Sequence, residues 1–340
     1  MNCEIGLEIE KHLGDSISKK IFENRIQYNN GEFCAIESII DTVYGGKELL
    51  DFMSRFRDKL YIFGAGILGK EFYETFCESK YSFRGFIDND ERKQNMTICD
   101  MLVYPLDIVP KDDKTGIILV NKFHSDTIME QLLERGYLKE QIFVFSKYYL
   151  ELNHSQYFDM EYLSKNKKIS FVDCGALDGN TSIWANEWFS QIHKIWVFEP
   201  DTMNAEKCRE NLKNTKCEVN VIEKAVWSSN TELYFKESNN GMSSIDSAGD
   251  VCVKATTLDS VIEDREDLYI KMDIEGAEIE ALQGAERLIR NCKPKLAICI
   301  YHKKEDVMDI PSLLLEYNPN YKFYIRHYSL TKNETVLYAI

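Results

Sequence analysis

Carboxylates and glycines follow one another where two apolar runs of the chain end. The run in FVDCGALDGNTS, residues 171–182, ends at Asp173 and is followed by Gly175 and Gly179. A second run, in KIWVFEPD, ends at Glu199, at a spacing that suits one strand–helix–strand unit. Glycines let a ligand approach the backbone closely, and an acid that ends the second strand can accept both ribose hydroxyls of an adenosine ligand. The spacing therefore predicts a nucleotide-like ligand.

The turn after the first of these strands differs from that of a dinucleotide-dependent dehydrogenase. It reads GALDG rather than GxGxxG, and no basic residue stands there for a pyrophosphate. A ligand with a ribose but without a phosphate fits better, and S-adenosylmethionine is such a ligand. Gly175 and Gly179 would then flank its amino-acid end, and Glu199 would bind its ribose. The alternative is that Asp173 and Asp178 only cap the following helix.

A later apolar run, YIKMD, ends at Asp273 and is followed by Glu275 and Gly276 before a helical pattern begins. We expect Asp273 to lie at the tip of the central strand, beside the sulfonium of the ligand. Glu278 and Glu280 are acids near a helix N-terminus, where capping and solvation explain them. Asp273 and Glu275 alone are too weak a signal for a metal site, so no metal is predicted.

Taken together, these pieces resemble the FkbM family of S-adenosylmethionine-dependent methyltransferases. The resemblance is carried by FVDCGALDGNTS, VFEPD, KATTLDSVI, IKMDIEGAEIEALQGAE and KPKLAICIYH, which occur in the family's order over residues 169–340. It implies methyl transfer to oxygen, often on sugars or natural-product scaffolds. The chain departs from the family at Asp178, where Asn is usual, and at Tyr301 and His302, where an acid is usual near the end of the fifth strand.

On the residues that match, the resemblance implies a cofactor site and two candidate catalytic groups. His302 is the best-placed neutral general base for a hydroxyl acceptor, unless it is a histidine hydrogen-bonded at the sheet edge. Asp273 is the alternative, either as the base or as a group that orients the acceptor. The residues expected to bind S-adenosylmethionine are Asp173, Gly175, Ala176, Gly179, Asn180, Thr181, Glu199, Pro200, Asp201, Ala225 and Asp273.

Two further features of this half have more than one interpretation. The segment GMSSID, residues 241–246, is either a loop that closes over the site or a plain solvent turn. His327, in KFYIRHY, is expected to be structural or to line the substrate site rather than to be catalytic.

A second glycine-rich turn occurs earlier, in FGAGILGKEF. Gly64, Gly66 and Gly69 form a GxGxxG between a predicted strand and a predicted helix, and Asp88 ends the next strand. A helix N-terminus for phosphate and an acid for ribose predict a second nucleotide site. This part resembles the small nucleotide-binding domain at the front of some sugar acyltransferases and related sugar-modifying proteins. The alternative is a scaffold that binds nothing and serves dimerisation or substrate presentation.

The fold that would hold these residues is α/β. Residues 1–58 have the spaced apolar residues of helices, and residues 59–147 alternate strand and helix as a small parallel Rossmann-like α/β domain. Residues 148–168 are expected to be a linker to an S-adenosylmethionine-dependent methyltransferase domain at 169–340. In that domain, five parallel strands and a terminal hairpin predict a seven-stranded Rossmann-like methyltransferase sheet. TELYFKE and DVCVKAT predict an extra hairpin, inserted before the fourth strand.

Composition excludes several other classes of protein. The net charge of -15 over 340 residues argues against a general nucleic-acid binder. Apolar runs are too short to predict a transmembrane span, and the start lacks the layout of a secretion signal, so a cytoplasmic location is expected. The 10 cysteines form no CxxC pair, which makes a structural zinc site improbable, and Cys174 is expected to be a small buried residue.

The leading hypothesis is a cytoplasmic O-methyltransferase that acts on a hydroxyl of a sugar, a glycan precursor, a nucleotide sugar or a similar metabolite. One alternative is an NAD(P)- or nucleotide-sugar-binding protein whose chemistry lies in the GxGxxG domain. Another is a non-catalytic scaffold in polysaccharide biosynthesis, against which the intact set of Asp173, Gly175, Glu199 and Asp273 argues. A homodimer is compatible with all three hypotheses.

Overall fold

Helices and strands alternate through most of the chain. The computed structural model describes residues 3–122, 124–158, 168–236, 244–245, 251–263 and 267–340. Its helices are α1 Cys3–His12, α2 Ser16–Asn29, α3 Ala35–Ile40, α4 Gly46–Arg55, α5 Ile67–Phe76, α6 Ser125–Glu134, α7 Ser146–Ser155, α8 Asn180–Trp188, α9 Thr202–Leu212, α10 Leu258–Val261, α11 Glu278–Gln283, α12 Glu286–Cys292 and α13 Asp306–Tyr317. None of the helices in these residues combines the length and the hydropathy that crossing a bilayer requires.

The strands fall into three sheets. They are β1 Leu60–Phe63, β2 Phe83–Ile87, β3 Thr97–Ile98, β4 Met101–Tyr104, β5 Gly116–Leu119, β6 Ile142–Val144, β7 Lys168–Cys174, β8 Gln191–Phe198, β9 Glu218–Ile222, β10 Ala225–Val226, β11 Thr231–Lys236, β12 Ser244–Ile245, β13 Val251–Thr256, β14 Leu268–Met272, β15 Lys295–Cys299, β16 Phe323–His327 and β17 Thr335–Ala339.

The chain forms two compact units, each built from more than one segment of sequence. The seven-stranded unit takes its described residues from Met1–Ser18, Tyr157–Arg326 and Val336–Ile340. The six-stranded unit takes them from Lys19–Gln156 and His327–Thr335. The predicted domains follow one another along the sequence, whereas the two units interleave. The helix α1 belongs to the seven-stranded unit, and the connection between β16 and β17 belongs to the six-stranded unit.

The six-stranded unit is the predicted small Rossmann-like α/β domain, preceded by the predicted helices. Its strand order is β3-β4-β2-β1-β5-β6, and all neighbours from β4 to β6 pair in parallel. The strands β1 and β5 are buried along their whole length, as expected for a parallel sheet covered on both faces. The short antiparallel pair of β3 and β4 was not predicted, because runs of two to four residues carry no periodicity.

The seven-stranded unit confirms the predicted methyltransferase-type sheet. Its order is β16-β17-β15-β14-β7-β8-β9, in which β15, β14, β7, β8 and β9 are parallel and β17 runs antiparallel to β15. The chain passes from β7 outward through β8 and β9 and then returns to place β14 on the other side of β7. The carboxyl ends of β7 and β14 therefore flank the switch point, where open α/β sheets bind their ligands.

The predicted inserted hairpin is present as β11 and β13, which pair antiparallel from Thr231 opposite Ala255 to Phe235 opposite Val251. They form a small sheet with β10 and β12, in the order β10-β13-β11-β12. The segment GMSSID, which could close over the site, lies outside the described residues apart from the two residues of β12.

Candidate active site

A cavity of about 770 Å³ lies at the carboxyl ends of β7, β8 and β14. Strand ends, the start of α9 and the turn before β10 all contribute to its wall. Of the residues predicted to bind the cofactor, the cavity is lined by Gly175, Glu199, Pro200, Asp201, Ala225 and Asp273. The fold thus brings together residues that are far apart in sequence, at the edge where a ligand is expected.

Gly175 allows the ends of β7 and β14 to approach each other closely. Its φ is +80°, a left-handed conformation that L side chains rarely adopt. A Cβ at this position would lie 1.9 Å from the carbonyl oxygen of Asp273. The sequence needs glycine here to form the wall of the cavity, whether or not a ligand also approaches it.

Glu199 is a buried carboxylate whose orientation is fixed by the backbone. Its side chain is 7% exposed, Oε2 accepts the N–H of Leu177 at 2.8 Å, and Oε1 accepts the N–H of Asp201 at 3.0 Å. Burial raises the pKa of Glu199 even though these hydrogen bonds oppose the shift. Each oxygen retains a second lone pair, so the oriented carboxylate can still accept hydroxyl groups.

Asp173, by contrast, does not line the cavity, because its carboxylate is fully buried and already bound. Lys271 Nζ lies 3.1 Å from its Oδ1, and the Ser182 hydroxyl donates to its Oδ2 at 2.7 Å. Lys271 also donates to the Gly175 carbonyl at 2.7 Å. Burial opposes the charge of Lys271, but the carboxylates of Asp173 and Asp273 outweigh burial and raise its pKa. Asp173 is therefore placed to fix the end of β7.

The remaining predicted cofactor residues form the turn into α8. Ala176 is buried, and Gly179 precedes α8 at a φ of +82°. Asn180 and Thr181 are the first residues of α8, and the Asn180 amide donates to Asp178 at 2.7 Å. None of these four predicted residues is among those that line the described cavity.

After β14, the carboxylate of Asp273 is held by two tyrosines. Tyr157 donates its hydroxyl to Oδ2 at 3.1 Å, and Tyr301 donates to Oδ1 at 3.4 Å. Tyr157 is buried and has a φ of +75°. It lies in the segment that was predicted as a linker, and no sequence pattern pointed to its contact with the site.

His302 is not among the residues that line the cavity, and three carboxylates lie close to its ring. Its side chain is 10% exposed, with Nε2 3.4 Å from Asp273 Oδ1 and 3.6 Å from Glu275 Oε2, and Nδ1 3.1 Å from Glu278 Oε1. Burial lowers its pKa, but Glu278 and the other two carboxylates outweigh burial and raise it to about 9. A pKa above neutrality favours the imidazolium at pH 7, whereas a general base needs the neutral ring. The role of His302 as a general base stays a prediction.

Several residues of the cavity wall were absent from the predicted site. Glu275 was considered only as a metal ligand, yet it lines the cavity, is 70% exposed and has a φ of +56°. A positive φ at a residue other than glycine is uncommon, and only the structure reveals it. Leu177 and Trp227 add apolar surface, and Lys303 adds a cation. Within the described ranges, no group of three or more His, Cys, Asp or Glu side chains is arranged to hold a metal ion.

The glycines of the predicted second site lie in the six-stranded unit, between β1 and α5. Gly64 has a φ of +121°, and a Cβ on Gly69 would lie 1.8 Å from the Gly64 carbonyl oxygen. Gly66 precedes the first residue of α5. Gly64 and Gly69 are therefore needed for the tight packing of helix on turn, which occurs with or without a ligand.

Asp88, the predicted ribose-binding acid of the second site, is engaged within the protein. Its Oδ2 accepts the N–H of Ala65 at 2.9 Å and lies 3.0 Å from Lys93 Nζ. Its Oδ1 accepts the N–H of Asp90 at 2.9 Å. These contacts tie the end of β2 to the glycine-rich turn, and nucleotide binding at this turn stays a prediction.

His327 and Cys174 are buried in their respective units. His327 contacts the Thr335 hydroxyl at 2.9 Å through Nδ1 and the Thr331 carbonyl at 2.8 Å through Nε2. Burial lowers its pKa to about 3, so the ring is neutral and structural. Burial raises the pKa of the Cys174 thiol, in agreement with its expected role as a small buried residue.

Comparison with known proteins found a family model and solved structures that match this chain. Residues 173–322 match the family model described as Methyltransferase FkbM domain. The structure of methyltransferase FkbM from Methylobacillus flagellatus KT aligns over 93% of this chain and 100% of its own, with 17% identity and a TM-score of 0.52. At that identity, the likeness indicates a shared fold. Comparison with curated protein sequences gave no match.

Two more distant structures align over part of the chain. Precorrin-6y C5,15-methyltransferase from Geobacter metallireducens GS-15 covers 56% of this chain and 85% of its own, with 14% identity and a TM-score of 0.33. Aeropyrum pernix fibrillarin, with natively bound S-adenosyl-L-methionine, covers 56% and 74%, with 10% identity and a TM-score of 0.35.

The family match begins at Asp173 and extends across the strand ends that carry Glu199 and Asp273, so it contains the acidic groups of the cavity. The sheet order of the seven-stranded unit agrees with it. Residues 173–322 are therefore a methyltransferase domain of the FkbM family, and the methyl donor of this enzyme is S-adenosylmethionine.

Proposed function

We propose that the enzyme methylates a hydroxyl oxygen of a sugar, a glycan precursor such as a nucleotide sugar, or a similar metabolite. The observation that supports this proposal is the distribution of acids along the cavity. Glu199 follows β8, whereas Asp273 and Glu275 follow β14 on the other side of β7, and all three line the cavity. The first suits the ribose of the donor, and the other two suit an acceptor that must lose a proton.

The donor half of the proposal depends on the fixed carboxylate of Glu199. Two backbone N–H groups orient it before any ligand arrives, so little ordering remains to be done on binding. Gly175 leaves room for the amino-acid end of S-adenosylmethionine, and Ala225, Leu177 and Trp227 offer apolar surface that suits an adenine ring.

The acceptor half depends on Asp273. S-adenosylmethionine supplies, when bound, a methyl group activated by the sulfonium. A hydroxyl is a poor nucleophile until a neighbour takes its proton, and Asp273 is the proposed acceptor of that proton. The hydroxyls of Tyr157 and Tyr301 hold the Asp273 carboxylate in place. Glu275, on the same wall, would orient the acceptor.

Calorimetry with S-adenosylhomocysteine tests the donor site. Loss of a charged acceptor costs about 1.5–3 kcal/mol, so Glu199→Ala should weaken binding by about ten- to a hundredfold. Glu223→Ala is the matched control, since this exposed acid pairs with Arg209 and Thr202 and is not among the residues that line the cavity. Equal affinity of wild type and a folded Glu199→Ala would overturn the assignment of Glu199.

Mass spectrometry tests the acceptor class. Candidate sugars and nucleotide sugars are incubated with S-adenosylmethionine, and each product is examined for the mass of one added methyl group. Asp273→Asn should abolish the gain, and an acceptor that lacks the methylated hydroxyl should gain nothing. Methylation of a nitrogen, or of the acceptor without that hydroxyl, would contradict O-methyl transfer.

Polysaccharide biosynthesis as the setting, a cytoplasmic location and a homodimer stay predictions.

A further inference from the structure

Three carboxylates meet at His302, directly beside the cavity wall. Asp273 and Glu275 follow β14 and line the cavity, whereas Glu278 is the first residue of α11 and is fully buried. The nearest nitrogen–oxygen distances from the ring are 3.4, 3.6 and 3.1 Å, respectively. His302 therefore lies between the buried carboxylate of Glu278 and the carboxylates of Asp273 and Glu275, which are the two acids proposed to contact the methyl acceptor.

The surroundings of the two ring nitrogens favour a positive charge on His302. An ionised carboxylate only accepts hydrogen bonds, and a neutral imidazole carries a hydrogen on one of its two nitrogens. Both nitrogens of His302 face carboxylate oxygens, Nδ1 towards Glu278 and Nε2 towards Asp273 and Glu275. A neutral ring would set a lone pair against an anion on one side. An imidazolium presents positive charge to the carboxylates on both sides. The contacts are ion pairs by distance, and neither ring nitrogen forms a hydrogen bond to the described residues.

The burial of Glu278 leads to the same charge state. Its side chain is inaccessible to solvent, and Oε1 accepts the N–H of Ile274 at 3.0 Å as well as facing His302. A buried carboxylate without a cation is costly, and removal of one member of a buried pair destabilises a protein strongly. The charge of His302 therefore stabilises the first turn of α11 against the end of β14.

The other charged groups near the ring come from the following helix and from the next residue in the chain. Asp306, on α13, accepts the N–H of Lys303 at 2.8 Å. Burial raises the pKa of Asp306 to about 6, while His302 opposes that rise. The ammonium of Lys303 lies 4.0 Å from Glu280 rather than at the carboxylates around His302. Acids thus outnumber cations around the ring.

We propose that His302 is a positioning residue, which as an imidazolium holds the carboxylates of Asp273 and Glu275 in place at the cavity wall, and that it is not the proton acceptor of the reaction. The part of this inference that concerns the reaction rests on the proposed function. The part that concerns charge and contacts stands without it.

NMR of the full-length, ¹⁵N-labelled protein without ligands tests the charge directly. Long-range ¹H–¹⁵N spectra from pH 6 to pH 10 report whether each ring nitrogen carries a hydrogen. We expect His302 to be protonated on both nitrogens at pH 7 and to titrate near pH 9. His327 is an internal reference, because its Nε2 faces a carbonyl, which only accepts, and burial lowers its pKa to about 3, so the hydrogen is expected on Nε2 alone. A neutral His302 at pH 7 would overturn the proposal.

Two glutamine variants on one helix separate a specific contact from a general charge effect. Glu278→Gln should lower the pKa of His302 by about one unit or more, since it removes an opposite charge within contact distance. Glu280→Gln, on the same helix, is the control, because its carboxylate faces Lys303, and it should leave the titration almost unchanged. The His302→Gln spectrum assigns the signal, and if that variant does not fold, the signal that moves in Glu278→Gln identifies it. Equal shifts in the two glutamate variants would refute the positioning contact.

The pH dependence of turnover separates positioning from base catalysis. A neutral histidine base gives a rate that rises as pH increases through the histidine pKa. An imidazolium that positions carboxylates gives a rate that falls as pH rises through about 9, and at pH 7 only about one ring in a hundred is neutral. If no hydroxylated acceptor gains a methyl group, the proposed function fails while the NMR titration still decides the charge. If methyl transfer occurs and its rate rises through a histidine-like pKa, the positioning role fails alone.

Discussion

The buried pair of Lys271 and Asp173 makes the strongest prediction for stability. Both side chains are almost inaccessible to solvent, and Nζ lies 3.1 Å from Oδ1. Lys271→Met keeps most of the aliphatic stem but removes the cation, and so leaves a buried carboxylate without its partner. It also removes the donor to the Gly175 carbonyl.

The expected loss is about 3–5 kcal/mol, which is the range for breaking one side of a buried ion pair. That is a large share of the roughly 5–15 kcal/mol by which a typical domain is stable. With a urea dependence of about 1–3 kcal/mol per molar, the unfolding midpoint should fall by about 1 M or more. Lys213→Met, at an exposed pair with Glu210, should change the free energy of unfolding by less than about 1 kcal/mol.

Tryptophan fluorescence during urea unfolding is the appropriate assay. The chain has 4 tryptophans, and all of them lie within the Tyr157–Arg326 segment of the seven-stranded unit, so the signal reports on that unit. The double variant Asp173→Asn/Lys271→Met should recover much of the lost stability, because neither charge is left unpaired. A midpoint of Lys271→Met equal to that of wild type, or strictly additive single effects, would refute the coupling between Lys271 and Asp173.

Three further changes have expected outcomes that the same structure fixes. Gly179→Ala should destabilise the seven-stranded unit by roughly 1–2 kcal/mol, and Gly175→Ala by well over that amount. Both residues have a φ near +80°, but only the new Cβ at position 175 would also clash with a backbone carbonyl. Equal urea midpoints of the two variants would contradict this. Folding raises the pKa of His302 from 6.5 to about 9. Its contribution to the free energy of unfolding, at most about 3 kcal/mol, is therefore complete below pH 6.5 and is lost as pH rises to 9. A free energy of unfolding, measured by fluorescence, that stays constant over that pH range would argue against the charged ring. Gly69→Ala should destabilise the six-stranded unit, because the new Cβ would lie 1.8 Å from the Gly64 carbonyl oxygen. Hydrogen exchange of the β1 amides should therefore accelerate. Unchanged exchange would show that α5 can move away from the turn at little cost.

The parts of the site that the sequence could predict are those fixed by local pattern. Apolar runs that end in Glu199 and Asp273 define strand tips, and the sheet topology brings strand tips to one edge. The glycines were recognisable for the same reason, since a glycine directly after a strand marks a turn that needs a positive φ. Both kinds of signal extend over only a few residues.

Contacts between distant parts of the chain account for what was missed or misjudged. Lys271 looks like a surface lysine within an apolar run, and only the pairing of β14 with β7 sets it opposite Asp173. Tyr157 reaches Asp273 across 116 positions of sequence. The raised pKa of His302 depends on Glu278, which looked from sequence like an ordinary solvated acid near a helix start. Register and burial, rather than residue type, decide all three.

The interleaving of the two units has a consequence for how such a methyltransferase can be exchanged between proteins. The boundary between units crosses the backbone after Ser18, Gln156, Arg326 and Thr335. A fragment cut once, near residue 157, would lose the Gly14 N–H that donates to the Phe323 carbonyl of β16 at 2.8 Å, and would keep the β16–β17 connection that belongs to the other unit. Recombination at a single point, in evolution or in the laboratory, therefore cannot transplant this catalytic unit whole. An intact graft has to carry the N-terminal segment as well and replace the connection between the last two strands.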